Sequence, residues 1–330
     1  MKIVYFTTAM SIQSFRQFSS RWNIALNPSN QNFHNKMIRS LAISNDVSVI
    51  SIRPFSKRNC KIKKLQYEVE KEEKITWHYL EISKQKFNKI SKCKKQTFSI
   101  LKKMNLDDAV FITDTINPSV LTIANAAKDK FKKQTIGICT DSPSNISGTN
   151  KSYTLYLLNH ASKLDGYIAL TEGLDVLFNE ERKPSIIIEG VVENNLPKKS
   201  ENLYGKYVFF GGAMMEKYGI YNLIQAFKNL NLMDTTLLIC GHHFNKSMLK
   251  ATIGTAKNIQ FLGIVSVKTV LELEQWSLVN VNPRPYSEDF DRYSIPSKTI
   301  EYLSSGVPTV SVKNTKLEKL YASLSIIERE

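Results

Sequence analysis

Two stretches of the sequence gather side chains able to handle a charged, phosphorylated ligand. The first is Phe209-Phe210-Gly211-Gly212-Ala213-Met214-Met215-Glu216-Lys217-Tyr218-Gly219-Ile220. It reads as a strand, a double glycine and a short loop carrying a lysine ahead of a helix. Gly211 and Gly212 allow close backbone approach, a helix N-terminus offers free N–H groups, and Lys217 adds a full charge. Together these suit a diphosphate. Neither GxxxxGK[ST] nor GxGxxG occurs in the chain, so this is not a Walker loop or a dinucleotide fingerprint. Taken alone, the same pattern also describes a plain βα turn.

The second stretch runs Asn282-Pro283-Arg284-Pro285, then Tyr293-Ser294-Ile295-Pro296-Ser297-Lys298-Thr299-Ile300-Glu301-Tyr302-Leu303, then Gly306-Val307-Pro308. Ser294 is expected as a helix N-cap and Pro296 within the first turn. Lys298 and Glu301 then fall three apart on one helical face. A helix that starts where a strand ends points its dipole at whatever binds there. A carboxylate one turn in can accept two hydrogen bonds from vicinal hydroxyls, as an acidic residue does with ribose in nucleotide folds. Spacing alone fits a capped surface helix with an ion pair equally well.

Other reactive residues carry less. Asp114 and Asp141 each follow a strand and could orient a sugar or an acceptor, or simply form turns. His242-His243 is an isolated pair with no third ligand nearby, which reads as loop histidines before a metal site. Cys60, Cys93, Cys139 and Cys240 are scattered, with no CxxC, and reduced thiols in a cytosolic protein are expected.

The elements that must position these residues alternate between short apolar strands and amphipathic helices. Strands are expected over 3–8, 47–52, 110–113, 135–139, 167–170 and 185–188, with helices over 33–44, 86–104, 118–131 and 153–163. A second series follows: strands over 207–210, 236–240, 259–262, 279–282 and 309–312, and helices over 218–230 and 294–304. This alternation predicts an α/β protein of two Rossmann-like, doubly wound domains. Residues 1–190 form the first, 191–205 a linker rich in Asn, Glu, Lys and Pro, and 206–330 the second. Ligands of such sheets bind beyond the carboxyl ends of the strands, and two such domains are expected to face a common cleft.

Charge separates the halves. The 330 residues include 45 Lys and Arg against 30 Asp and Glu, a net of +15. All of that excess lies in residues 1–104, with 21 basic and 6 acidic residues, whereas residues 105–330 carry 24 of each. Glycine runs the other way, since the first of 13 is Gly137. A glycine-built phosphate site therefore belongs to the neutral half, and a uniformly basic nucleic-acid coat protein is excluded. Within 53–104 the balance is 16 basic to 5 acidic. Such a stretch is a solvated face, a dock for an anionic membrane, or a nucleic-acid surface. No nucleic-acid recognition motif or aromatic-interleaved platform accompanies it, so nucleic acid is not expected as a partner.

The ordered series Gly-Gly…Glu-Lys-Tyr-Gly-Ile, Leu-Leu-Ile-Cys-Gly, Ile-Gln-Phe-Leu-Gly, Asn-Pro-Arg-Pro and Tyr-Ser-Ile-Pro-Ser-Lys-Thr-Ile-Glu-Tyr-Leu-Ser-Ser-Gly-Val-Pro, over residues 207–312, resembles the donor domain of GT-B glycosyltransferases. It is most similar to the retaining family 4 enzymes of capsule and exopolysaccharide clusters in bacteria. The N-terminal half resembles the same group more weakly, through Asn27 to His34, Arg53-Pro54 and Thr140-Asp141-Ser142-Pro143.

This resemblance implies transfer of a sugar from a nucleotide-sugar, a UDP-sugar first of all, to a glycan or lipid-linked acceptor. It needs no metal and no other cofactor. It implies that Glu301 holds the ribose hydroxyls, that Ser294, Pro296, Ser297 and Lys298 border the diphosphate, and that Lys217 in the Gly211–Lys217 loop supplies a cation. It further implies that the segment near Val265 meets the base, and that Arg284 and Asp141 belong to the site. The setting it implies is cytoplasmic and peripheral, on the inner face of the plasma membrane, with residues 53–104 on anionic lipid.

Several residues depart from the family pattern. Ala213 and Tyr218 stand where many members have Arg and Lys, and Tyr293 replaces the first of two paired carboxylates. Ala9 to Gln13 replace a Gly-Gly loop. A C-terminal crossover helix is expected to be short or missing. These departures keep open a second class of function, a catalytically weak GT-B-like partner subunit that binds an acceptor or another glycosyltransferase.

Overall fold

The computed structural model describes residues 1–22, 28–54, 64–83, 89–146, 150–192, 196–198, 201–243, 245–312 and 326–327. The chain divides into two units. One comprises Met1–Val191 with Arg292–Ile295, the other Val192–Asp291 with Pro296–Glu330.

The first unit runs β1 (Lys2–Thr7), α1 (Ile12–Trp22), α2 (Pro28–Ala42), β2 (Asp46–Ser51), β3 (Lys64–Leu65), β4 (Glu68–Glu72), β5 (Ile75–Tyr79) and β6 (Ile82–Ser83). It continues with α3 (Lys89–Leu101), β7 (Ala109–Asp114), α4 (Pro118–Phe131), β8 (Thr135–Cys139), α5 (Lys151–Ala161), β9 (Gly166–Ala169), α6 (Glu172–Phe178) and β10 (Ser185–Ile187). The main sheet has the order β10-β9-β8-β7-β1-β2-β5-β4. Its central strand β1 is apolar on both faces: Ile3 and Tyr5 pack into one core cluster with Ile38 of α2, Val4 and Phe6 into another with Leu101 of α3 and Val120 of α4. A continuous apolar run is what a parallel strand covered by helices on both sides requires.

One edge departs from the all-parallel expectation. β4 runs antiparallel to β5, joined by the two-residue turn Glu73-Lys74 with Glu73 at φ 46°. The sequence Glu-Val-Glu-Lys-Glu looks like a polar loop, yet its partner supplies the buried alternation Ile75, Trp77, Tyr79. Charges along β4 also discourage further pairing at that edge.

The second unit runs β11 (Tyr207–Gly211), α7 (Ile220–Asn229), β12 (Thr236–Cys240), α8 (Lys246–Ile253), β13 (Ile259–Phe261), α9 (Val267–Trp276), β14 (Val279–Asn282), α10 (Glu288–Asp291), α11 (Ser297–Ser304), β15 (Thr309–Ser311) and β16 (Ile326–Ile327). All strands are parallel, in the order β13-β12-β11-β14-β15-β16. Along β11 the side chains alternate. Phe210 packs with Ile220 and Ile224 of α7, whereas Tyr207 and Phe209 pack with Leu273 of α9 and Tyr302 of α11. The chain steps outward from β11 to β12 and β13, then returns to β14 on the other side. The strand order therefore reverses between β11 and β14, and a ligand crevice opens at such a reversal.

Candidate functional site

Both sequence stretches singled out for chemistry end at that reversal. Gly211 closes β11 and Gly212 follows it, while Pro283 and Arg284 follow β14. Between β11 and α7 the loop folds into a 3-10 turn at Glu216–Tyr218, and Gly219 is the N-cap of α7, with no side chain capping the helix. Gly219 has φ +73°, and a Cβ there would lie 1.9 Å from the Pro283 carbonyl oxygen. Only glycine lets these two loops touch. A second such point is Gly241, after β12, with φ +134° and a Cβ position 1.9 Å from the Gly212 oxygen. Backbone bonds tie the same rim together: Gly212 N–H donates to Cys240 O (2.9 Å), Met214 N–H to His242 O (2.8 Å) and Gly241 N–H to Gly263 O (2.7 Å).

Helix α11 is anchored at the reversal to two strands, β14 through two asparagine side chains and β11 through its last backbone peptide. Asn282 Nδ2 donates to Thr299 Oγ1 (2.8 Å) and Asn280 Nδ2 to Ser305 Oγ (3.1 Å). The buried Tyr302 hydroxyl accepts the Gly211 N–H at 3.0 Å and lies 3.3 Å from the Gly211 carbonyl oxygen. The preceding turn carries the charge. Lys298 Nζ lies 3.3 Å from Glu301 Oε2 and 4.0 Å from Oε1 of Glu274, a fully buried residue on α9. Burial alone would lower the Lys298 pKa, but Glu301 and Glu274 outweigh it and hold the ammonium above its ordinary range. Burial pushes the neighbouring Cys240 thiol up to about 12, with Lys298 opposing and Glu274 and Glu301 adding. Cys240 is therefore a neutral thiol here and no nucleophile. Tyr302 is raised as well, chiefly by burial, so its hydroxyl stays protonated and able to donate.

The remaining expected residues are placed as follows. Lys217 is exposed, its Nζ 5.1 Å above the ring of its neighbour Tyr218. Arg284 does not point a free charge at the crevice: its guanidinium pairs with Asp291, whose other oxygen accepts the Ser287 N–H at 2.8 Å. Val265 packs beside Tyr207 and Leu273, leaving the adjacent Ile264 exposed. The expected capping by Ser294 is not what forms. The helix begins at Ser297 with Pro296 as its N-cap and no side-chain cap bond, because the fixed φ of proline already sets the entry (φ −65°). Ser294 falls in the stretch Arg292–Ile295 that groups with the first unit.

In the first unit, Asp141 follows β8 and its Oδ1 accepts the N–H of the next residue, Ser142 (2.8 Å). Asp114 ends β7 fully buried, its Oδ1 accepting from Ile116 N–H. Its Oδ2 faces Nε2 of the buried His34 at 3.6 Å, and Nδ1 of that ring lies 2.7 Å from the Tyr5 hydroxyl. Of the basic stretch, Lys92, Lys94, Lys95, Lys102 and Lys103 are exposed on α3 and just after it. Lys57, Arg58, Lys61, Lys63, Lys84 and Lys86 lie outside the described residues. Among the described residues no group of three or more His, Cys, Asp or Glu is placed to hold a metal, and no helix is long and apolar enough to cross a membrane.

Sequence reasoning missed Glu274. Its signal was available: Glu274 lies four and three residues after Val270 and Leu271, on the face α9 buries. It also missed the role of Tyr302, whose contact with Gly211 spans 91 residues.

Comparison with known proteins bears on the fold and on the second unit. Residues 205–322 match the family described as Glycosyl transferases group 1. No curated protein sequence matches the chain. Among solved structures, the chain is similar to the apo structure of OtsA (10% identity, TM-score 0.63, covering 99% of this chain and 88% of that one). It is also similar to sucrose-phosphate synthase from Thermosynechococcus elongatus (10%, 0.61, 99% and 85%). A third is Anabaena HepE in complex with UDP (11%, 0.60, 99% and 85%). The fold is the GT-B fold of glycosyltransferases, α/β with two Rossmann-like domains.

Proposed function

We propose that the protein is a retaining, family 4-like glycosyltransferase that moves a sugar from a UDP-sugar to a glycan or lipid-linked acceptor during surface polysaccharide assembly. The observation that carries this reading is the pairing of Lys298 with Glu301 on α11, directly beside the glycine rim at the strand reversal. The family match over the same unit supports sugar transfer, and HepE, similar in fold, was solved with UDP-glucose as well as UDP.

The chemistry follows from charge. Breaking the anomeric C–O bond leaves a nucleoside diphosphate gathering negative charge beside an oxocarbenium-like sugar. Preorganised cations and helix N-termini aimed at that charge are the main source of acceleration. Lys298, held by two carboxylates, is the fixed cation, and the exposed Lys217 is a second one. Glu301 takes the ribose hydroxyls, and the backbone beyond Gly263 borders the base. These groups supply the charge stabilisation, and a metal-independent transfer is part of the proposal. Ser294, Asp141 and Asp114 are assigned no chemical step.

The partner-subunit reading keeps two specific observations in its favour. Arg284 is engaged by Asp291, and Tyr293 stands in place of a carboxylate. A thermal shift with UDP, GDP and ADP separates the two. The enzyme reading expects stabilisation by UDP that Glu301→Ala abolishes. No shift with any of the three, or an equal shift in Glu301→Ala, favours the partner subunit. The proposed location is the inner membrane surface, with the basic face on and around α3 toward anionic lipid.

A further inference from the structure

The buried carboxylate of Glu274 sits at the candidate site yet is given no contact with the donor in the chemistry above. Nothing in a Rossmann-like unit requires an acid inside α9, where Leu271 and Leu273 are also buried. An ionised carboxylate in such a place is costly unless a cation meets it. Lys298 on α11 brings such a cation to within 4.0 Å. Glu274 is held at the end of α9 by its own backbone carbonyl, which accepts from Asn280 Nδ2 (3.2 Å) and Ser277 Oγ (3.1 Å). Asn280 also bonds Ser305, just past α11. The acid and the helix carrying its cation are therefore fixed to one strand, β14.

We propose that Glu274 is a positioning residue: it anchors Lys298 in the site while Glu301 turns to the ribose hydroxyls of the donor. This rests on the nucleotide-sugar reading. Lys298 has two counterions of different kinds. Glu301 is nearer but partly exposed, and the donor draws on its lone pairs. Glu274 is 0% exposed and cannot leave. A lysine ammonium on a four-carbon stem has no fixed geometry of its own. With Glu301 alone, it would follow that side chain or swing to water when the donor arrives. With Glu274 behind it, the charge stays where the phosphates need it, and the rotamer is settled before binding.

The test has a diagnostic sign. Deleting a negative charge near an anion site should, by Coulomb's law alone, tighten anion binding. Positioning predicts the opposite, so UDP titrated into Glu274→Gln by calorimetry should bind about tenfold more weakly than to wild type. In a Lys298→Gln background, adding Glu274→Gln should change UDP affinity by less than about twofold, because the effect travels through Lys298. A second readout needs no nucleotide. The Lys298 ¹³Cε resonance, assigned by its loss in Lys298→Gln, reports titration of the ammonium, which faces Glu301, Glu274, Cys240 and Tyr302. Its midpoint should move to lower pH in Glu274→Gln.

Should Glu274→Gln fail to fold, the Glu274→Gln/Lys298→Gln pair, which removes both charges together, is compared with Lys298→Gln in its place. Unchanged or tighter UDP binding in Glu274→Gln, an unmoved Lys298 midpoint, or an effect that persists without Lys298 would overturn the proposal. Wild type that binds none of UDP, GDP or ADP overturns the donor reading itself, a different result from wild type that binds while Glu274→Gln makes no difference.

Discussion

The hydroxyl of Tyr302 sits astride the peptide of Gly211, accepting its N–H at 3.0 Å and lying 3.3 Å from its carbonyl oxygen, both buried. One phenol thus fixes the end of β11 against the helix that carries Lys298 and Glu301. Tyr302→Phe removes that link and leaves the Gly211 N–H without its partner inside the protein. The expected cost is about 1–3 kcal/mol of stability, read as a lower urea midpoint of the second unit. UDP affinity should fall with it, since Glu301 is the adjacent residue. An unchanged midpoint would remove Tyr302 from this role.

Glycine at 241 is a matter of space and dihedral together. A methyl group would lie 1.9 Å from Gly212 O, at a φ of +134° that L-residues avoid. Gly241→Ala should therefore shift the rim that follows β11 and β12. We expect loss of nucleotide-induced stabilisation and a lower melting temperature, both measured by thermal shift. A variant with wild-type values in both would contradict the packing described here.

His34 makes stability depend on pH. Burial lowers its pKa, with Asp114 partly opposing, so the folded chain holds it neutral where an unfolded chain begins to protonate it. Below about pH 6.5 the unfolded state binds the extra proton, and stability falls as pH falls. The slope from this one group is at most about 1.4 kcal/mol per pH unit. Urea midpoints compared between pH 7.5 and 5.5 should show a smaller drop in His34→Gln than in wild type. Equal drops would assign the dependence to other groups.

The basic face on and around α3 is expected to bring the protein to anionic lipid, at roughly 1 kcal/mol per basic residue near the headgroups. Binding to vesicles should rise with phosphatidylglycerol content, fall as salt is raised, and weaken in a Lys92→Gln/Lys94→Gln/Lys95→Gln variant. Equal binding to neutral vesicles, or binding that survives high salt, would sink this assignment.

Much of the fold was legible because parallel strands buried on both faces are unbroken apolar runs. Phe209-Phe210, Leu237-Leu238-Ile239 and Ile3-Val4-Tyr5-Phe6 announce themselves. The pairing of β4 with β5 was not, because an edge strand can be charged throughout and is recognised only by its buried partner. Helix α1 was missed although Ile12, Phe15, Phe18 and Trp22 recur at helical spacing, because Ser, Gln and Arg fill every position between them. At the site, Lys298 and Glu301 were legible because their partnership is local, three residues on one helix. Glu274 facing Lys298, Tyr302 under Gly211 and Arg284 held by Asp291 were not, since each depends on how a helix or loop returns to the sheet. The cap at Ser294 failed where proline at 296 set the helix start instead.

Sugar transfer is tested most directly by UDP release. Purified protein is mixed with a panel of UDP-sugars and membranes carrying the lipid-linked acceptor, and UDP is followed by a coupled assay. The expected result is acceptor-dependent release from one UDP-sugar, reduced at least about a hundredfold in Lys298→Ala, the loss of one preorganised charge contact. No acceptor-dependent release from any nucleotide-sugar, or release at the same rate in Lys298→Ala, would contradict it.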